Sequence, residues 1–376
     1  MRSINELKII VVFLFLIEGG FLFVTGVDHK FSYNSIVTYT NKGSQPLELT
    51  FEDRVFNIFM NTSWQTVKLL SCNLPYSETD DLDGNPIIVL SVPSVPQDEN
   101  IILSVNLEVI TKEREAPDVN YLSSGSRDQI PKKLIEDFCK SAGTWLYSDE
   151  LKSLAHQIWN IENQTDDVLK IVCSLADWIG ENIEYESFEG GLYPNETYQG
   201  KRGDCDDQAN LLITLCRILD IPAFLQLGCI HSLDFPENET YWDGHLITYY
   251  RLVSFHAWAV VYIPPWGWLP FDMTWGWTSE DSLDGVKTAV AYSESTIIMM
   301  NVTKSDWPGS ARRLKERLIN SDLYVFDVEE LTILLPGTLE ERFWREIELW
   351  VITVTIIISV FFLVARSRGC SQKSHL

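Results

Sequence analysis

Between Phe31 and Lys112 the chain runs in short β-type stretches: Ser35–Thr40, Leu47–Phe51, Ile87–Leu90 and Ile101–Ile110 are rich in β-branched and aromatic residues. Asn, Asp, Gly and Pro separate them, as at Asn41-Lys42-Gly43, and this spacing predicts an all-β, sandwich-like domain over residues 28–114. Residues 115–130 are polar, with Pro117 and Ser123-Ser124-Gly125-Ser126, and read as a linker. The period then changes from two to that of a helix. Helices are expected over 131–140, 149–159 and 165–181, and again through Leu211–Leu219. Leu252–Ile263 reads as a strand, Pro264-Pro265-Trp266-Gly267 as a turn and Trp268–Asp272 as its partner strand. A short basic helix is expected over 311–320 and strand-like chain over 323–335, with no internal repeat. The fold class is therefore α+β: a β-rich N-terminal domain, a mixed core over 131–310 and a C-terminal extension over 311–346.

The two ends differ from this pattern. Residues 1–26 carry Arg2 and Lys8, then an apolar run through Phe23, and read as a signal peptide or N-terminal anchor. Residues 349–365 are apolar without a charge and are followed by Arg366, Arg368 and Lys373. This predicts a C-terminal transmembrane helix with residues 366–376 as a cytoplasmic tail, so that the body faces outward. Sequons at Asn61, Asn163, Asn195, Asn238 and Asn301 fit an exported, glycosylated chain.

The net charge of −24 and the pI of about 4.6 exclude nucleic acid as a partner, because phosphates require Lys and Arg. Seven cysteines are present, without a CxxC spacing, which argues against zinc. The loop around Asp81, Asp83 and Asn85 clusters oxygen atoms and is a candidate calcium site; the competing reading is an Asp-Gly hairpin turn. No cofactor is implied.

The chemistry concentrates at Gly203-Asp204-Cys205-Asp206-Asp207. Asp204 is a good N-cap, which places Cys205 on the first turn of a helix, where the partial positive charge of the N-terminus favours thiolate. A cysteine is more often simply core. It becomes a candidate nucleophile when a His and an orienting acid lie elsewhere, and the hairpin 252–272 can set His256 beside Asp272. Asp206 and Asp207, about 100° apart around the helix, are expected to point away from the sulfur. On that expectation Cys205 and His256 rest partly as a thiolate–imidazolium pair.

Three ordered blocks resemble the transglutaminase-like superfamily, thiol enzymes with a circularly permuted relation to papain. They are Gly203–Asp207 with Arg217-Ile218-Leu219-Asp220-Ile221-Pro222-Ala223, then His256-Ala257-Trp258, then Gly267–Thr274. Asp177–Tyr185 is similar to the helix and strand that precede the cysteine in that family. The resemblance implies Cys205 as nucleophile, His256 as general base and acid, and Asp272 as orienter. Asp220, Phe224 and Met273 depart from the usual Gly, Arg and Pro. The expected activity is a membrane-anchored, cysteine-dependent amide hydrolase or acyl transferase acting on extracellular proteins or peptides. Hydrolysis is favoured because no motif announces an amine site. The alternative is an inactive transglutaminase-like binding module at the cell surface.

Overall fold

A computed structural model describes residues 29–112, 116–232, 238–274, 282–291 and 296–334. The expected leader, membrane span and tail lie outside these residues. Among the described residues no helix is long and apolar enough to cross a membrane.

The N-terminal β-rich region does not close on itself as a sandwich. Strand His29–Asn41 pairs antiparallel with Asn100–Thr111 along its whole length, Phe31 opposite Val109 and Tyr33 opposite Leu107, and Gln65–Cys72 flanks the second of these strands. The other edge of His29–Asn41 is taken by Leu323–Ile333, which in turn carries Leu246–Arg251 and Asn238–Tyr241. Half of the six-stranded sheet thus comes from before the linker and half from well after it. An edge strand with thirteen residues of unpaired backbone invites pairing, and the late strands satisfy it. Phe31, Tyr33, Leu103, Leu107 and Val109 are buried on this sheet. A small sheet of Val55–Asn57, Pro86–Leu90 and Tyr76–Asp80 sits alongside in the same N-terminal region.

The mixed core is built around helix Cys205–Ile218, eleven of whose fourteen residues are buried. It packs against helices Asp149–Ile161 and Val168–Asn182 and against a four-stranded sheet ordered Gly267–Phe271, Val253–Ile263, Ala223–His231, Thr296–Val302. Leu211, Leu212 and Leu215 share one apolar core with Leu225, Ala259, Val261 and Phe271. Each such leucine, fully buried, contributes about 1.5–3 kcal/mol. That packing holds the first turn of the helix against the sheet.

The end of the helix is fixed by Arg217, which is buried. Its Nε donates to the carbonyl of Ala223 at 2.7 Å and its guanidinium lies 3.8 Å from the Trp145 ring centroid. Asp220 takes a left-handed conformation, φ +60°, which aspartate tolerates better than most residues. The later helix Trp307–Asn320 and strand Leu323–Ile333 fall close to their expected positions.

Candidate active site

Gly203 allows the turn into the helix. A Cβ there would stand 2.7 Å from Cβ of Asp207, so a larger residue would force the chain open. Asp207 closes the turn: its Oδ2 accepts the backbone N–H of Asp204 at 3.2 Å and its Oδ1 that of Leu192 at 2.6 Å. Asp204 caps in an extended conformation, and Cys205 is the first helical residue. The backbone N–H groups of Ala257 and Asp206 face its sulfur.

His256 reaches the same place from the sheet. Strand Val253–Ile263 sets it opposite Gly228, and Asp272 follows directly on strand Gly267–Phe271. His256 Nε2 lies 2.7 Å from Asp272 Oδ2, while Asp272 Oδ1 accepts the backbone N–H of Thr274 at 3.1 Å and its hydroxyl at 3.4 Å. The two side chains are only 12 and 14% exposed, so water screens the pair weakly. With the carboxylate on Nε2, any proton exchange with Cys205 falls to Nδ1. Cys205 and His256 together line two cavities, of about 480 and 510 Å³. The first runs to Phe56, Phe59 and Met300; the second is lined by Tyr185, Glu239, Tyr241 and Tyr250. A third cavity, of about 650 Å³, is walled by Trp64, Phe224, Trp258 and Trp268 and includes His256 and Asp272.

The charges around the thiol differ from the sequence-based expectation. Burial pushes the Cys205 thiol up, and the carboxyls of Asp206 and Asp204 push it further. Asp206 does not turn away, because Trp307 Nε1 donates to its Oδ2 at 2.6 Å and draws it beside the sulfur. Burial, then Asp204, raises the Asp206 carboxyl well above the usual range, with the indole acting the other way. Burial and the two neighbouring carboxyls thus favour the thiol form of Cys205, in the opposite direction to the expected thiolate–imidazolium pair. Among the described residues the one group that offers three donors within 4.8 Å of each other is Asp204, Cys205 and Asp206. A metal there would occupy the Cys205 sulfur.

The calcium reading of Asp81, Asp83 and Asn85 is corrected. Asp81 Oδ1 accepts the backbone N–H groups of Asp83 and Asn85, each at 2.8 Å, inside a hairpin turn. Asp83 Oδ1 accepts from the backbone of Thr303, Lys304 and Ser305 and from the Thr303 hydroxyl. These oxygens clamp the hairpin to the chain after strand Thr296–Val302 rather than converging on an ion. The sequon at Asn301 is likewise used internally: its Oδ1 accepts from Gln226 Nε2 at 2.7 Å. Among the described residues Cys72, Cys139, Cys205, Cys216 and Cys229 are free thiols.

The structure brings the sequence-predicted Cys205 and His256 to shared cavities and His256 to Asp272, and sets beside them Trp307, Tyr185 and Gly228, which the sequence does not single out. Only Tyr185 lay inside a recognised block. Trp307 precedes a helix that carries no catalytic pattern, and a lone glycine in a strand gives no functional signal.

The described chain is thus a mixed α+β fold in which Cys205 and His256 line shared cavities and His256 meets Asp272. Residues 152–273 match the family profile of the transglutaminase-like superfamily. Among solved structures the chain is similar to a provisionally named cysteine protease from Cytophaga hutchinsonii, at 19% identity and a TM-score of 0.51, covering 83% of this chain and 94% of that one. At that identity the likeness shows the fold. A provisionally named protease from Parabacteroides distasonis ATCC 8503 aligns at 10% identity over 74% of this chain and 68% of that one, with a TM-score of 0.26, too low to bear on the fold. No curated protein matches the chain.

Proposed function

We propose that the protein is a cysteine-dependent, protease-like hydrolase of amide bonds in proteins or peptides. The observation that carries this reading is the His256–Asp272 contact of 2.7 Å beside the cavities that His256 shares with Cys205. His256 takes the thiol proton through Nδ1 as the sulfur attacks the carbonyl carbon, and Asp272 stabilises the imidazolium that results. The C–N bond then breaks, the leaving amine takes the proton from His256, and an acyl thioester remains. Water, deprotonated by His256, attacks the thioester; the acid departs and the thiol is restored. The oxyanion is met by the backbone N–H of Cys205 and, in this proposal, by the hydroxyl of Tyr185, which shares the 510 Å³ cavity.

The raised thiol fits a mechanism in which substrate binding, by displacing water and bringing the carbonyl into reach, triggers the proton transfer. Hydrolysis rather than transfer to an amine remains the subclass we favour. Anchorage by 349–365 with the body outside the cell rests on the apolar run and the positive charges after it. The test is the full-length chain on casein and on glutamine donors with an amine tracer, against Cys205→Ala. Cys205-dependent peptide release is expected to exceed amine incorporation. Equal turnover by the parent and Cys205→Ala on every substrate would remove the catalytic reading.

A further inference from the structure

The cavity of about 480 Å³ beside Cys205 contains a carboxyl group that the proposed chemistry does not use. Its walls include Phe56, Phe59, Leu227 and Met300, and Glu329 of strand Leu323–Ile333 also lines it. Glu329 is only 6% exposed. Its Oε1 accepts the Ser35 hydroxyl at 3.1 Å, and Tyr33 and Asp327 also stand within hydrogen-bonding reach of the carboxyl, while its buried Oε2 has no hydrogen bond of ordinary geometry. Asp327, two residues earlier and so on the same face of the strand, likewise has a buried oxygen, Oδ1, without a partner. Among the described residues neither carboxyl has an ion pair.

A buried acid with an unsatisfied oxygen is costly. Ser35 would be served equally well by a neutral acceptor. We propose that this cavity receives the basic side chain, lysine or arginine, of a residue flanking the amide bond that Cys205 attacks. The aliphatic stem would lie along the phenylalanine and methionine walls, whose side chains adapt to such a stem, and the cationic head would reach Glu329. An apolar side chain would leave Oε2 unpaired, whereas a cationic one would favour the ionised form of the carboxyl. The chain's net charge of −24 also draws cationic peptides towards it. This inference rests on the thiol-hydrolase reading above.

The test is digestion of a mixed peptide library by the full-length chain, read by mass spectrometry on both sides of each cut. Lys and Arg together are expected to be enriched about tenfold over leucine at one position flanking the cut, a ratio that corresponds to one good ionic contact. Glu329→Gln should bring that ratio near one. Met300→Lys, which places a cation in the cavity without touching the carboxyl, should do the same and serves if Glu329→Gln fails to fold. Cys205-dependent cleavage with no basic enrichment, or enrichment that survives either variant, overturns the inference and leaves the hydrolase reading standing. Absence of any Cys205-dependent cleavage removes both.

Discussion

The indole nitrogen of Trp307 lies 2.6 Å from Oδ2 of Asp206, a contact that spans 101 positions of sequence. It ties helix Trp307–Asn320 to the first turn of the nucleophile helix and sets a carboxyl beside the Cys205 thiol. The same contact explains why helical geometry alone misjudges Asp206: the side chain follows its hydrogen-bond donor rather than the average direction of its position.

Trp307→Phe keeps an aromatic ring in the core but removes the donor. Leaving the partly buried Asp206 oxygen unsatisfied should cost about 1–3 kcal/mol in urea unfolding. Asp206→Asn retains an acceptor for the indole and removes the negative charge. It should therefore speed iodoacetamide alkylation of Cys205 several-fold at pH values above that at which the raised Asp206 carboxyl ionises, and change the rate little below it. A Trp307→Phe protein as stable as the parent would show that the contact contributes nothing.

Stability should fall as pH rises from mildly acidic to mildly alkaline. Burial, then Asp204, raises Asp207 to about 7; burial raises Asp327 to about 6, and burial with Asp327 raises Glu329. In the unfolded chain these groups ionise near 4. Between roughly pH 4 and 7 the folded state therefore binds more protons than the unfolded state, and the stability this confers is lost as pH rises through the folded values. The melting temperature near pH 5 should exceed that near pH 8 by several degrees, and Asp327→Asn with Glu329→Gln should shrink the difference. A melting temperature that climbs over this range would contradict the raised carboxyls.

The sequence made the site legible where neighbouring residues carry the information. Cys205 was readable because its cap and helix are local, and His256 with Asp272 because one hairpin joins them. The six-stranded sheet was not readable, since His29–Asn41 meets Leu323–Ile333 nearly three hundred residues away and a β-type pattern does not name its partner. Asp83 failed for the same reason: its donors at Thr303–Ser305 lie some 220 positions on, so its oxygens looked available for calcium. Glu329 sits in a strand-like run where alternation predicts a face but not a cavity.

Gly228 lies opposite His256, and a Cβ there would stand 2.5 Å from both the Ile297 carbonyl and the Trp258 ring. The strand also shifts register between Leu227 and Gly228. Gly228→Ala must push the Thr296–Val302 strand or the Trp258 ring aside, at a cost of about 1–3 kcal/mol, and should displace His256 with it. We expect a lower melting temperature together with a loss of activity larger than the loss of folded protein. Unchanged turnover per folded molecule would show that His256 does not depend on this contact.

Tyr185 offers the sharpest test of how the oxyanion is held. Its short strand, Glu184–Tyr185, pairs in parallel with Arg202–Gly203, so the turn that delivers Cys205 also fixes the tyrosine backbone. Burial raises the phenol to about 12, with Cys205 the next contributor, so at neutral pH it remains a protonated donor beside the sulfur. A donor aimed at charge that develops only during attack acts on the transition state more than on the bound substrate. Tyr185→Phe removes the hydroxyl and keeps the ring, and should lower kcat by about a hundredfold while KM changes little. The pH at which activity rises should stay where the parent has it, since Cys205 and His256 are untouched. A rise in KM with kcat preserved would assign Tyr185 to substrate binding instead, and the second oxyanion donor would then have to come from another side chain of that cavity.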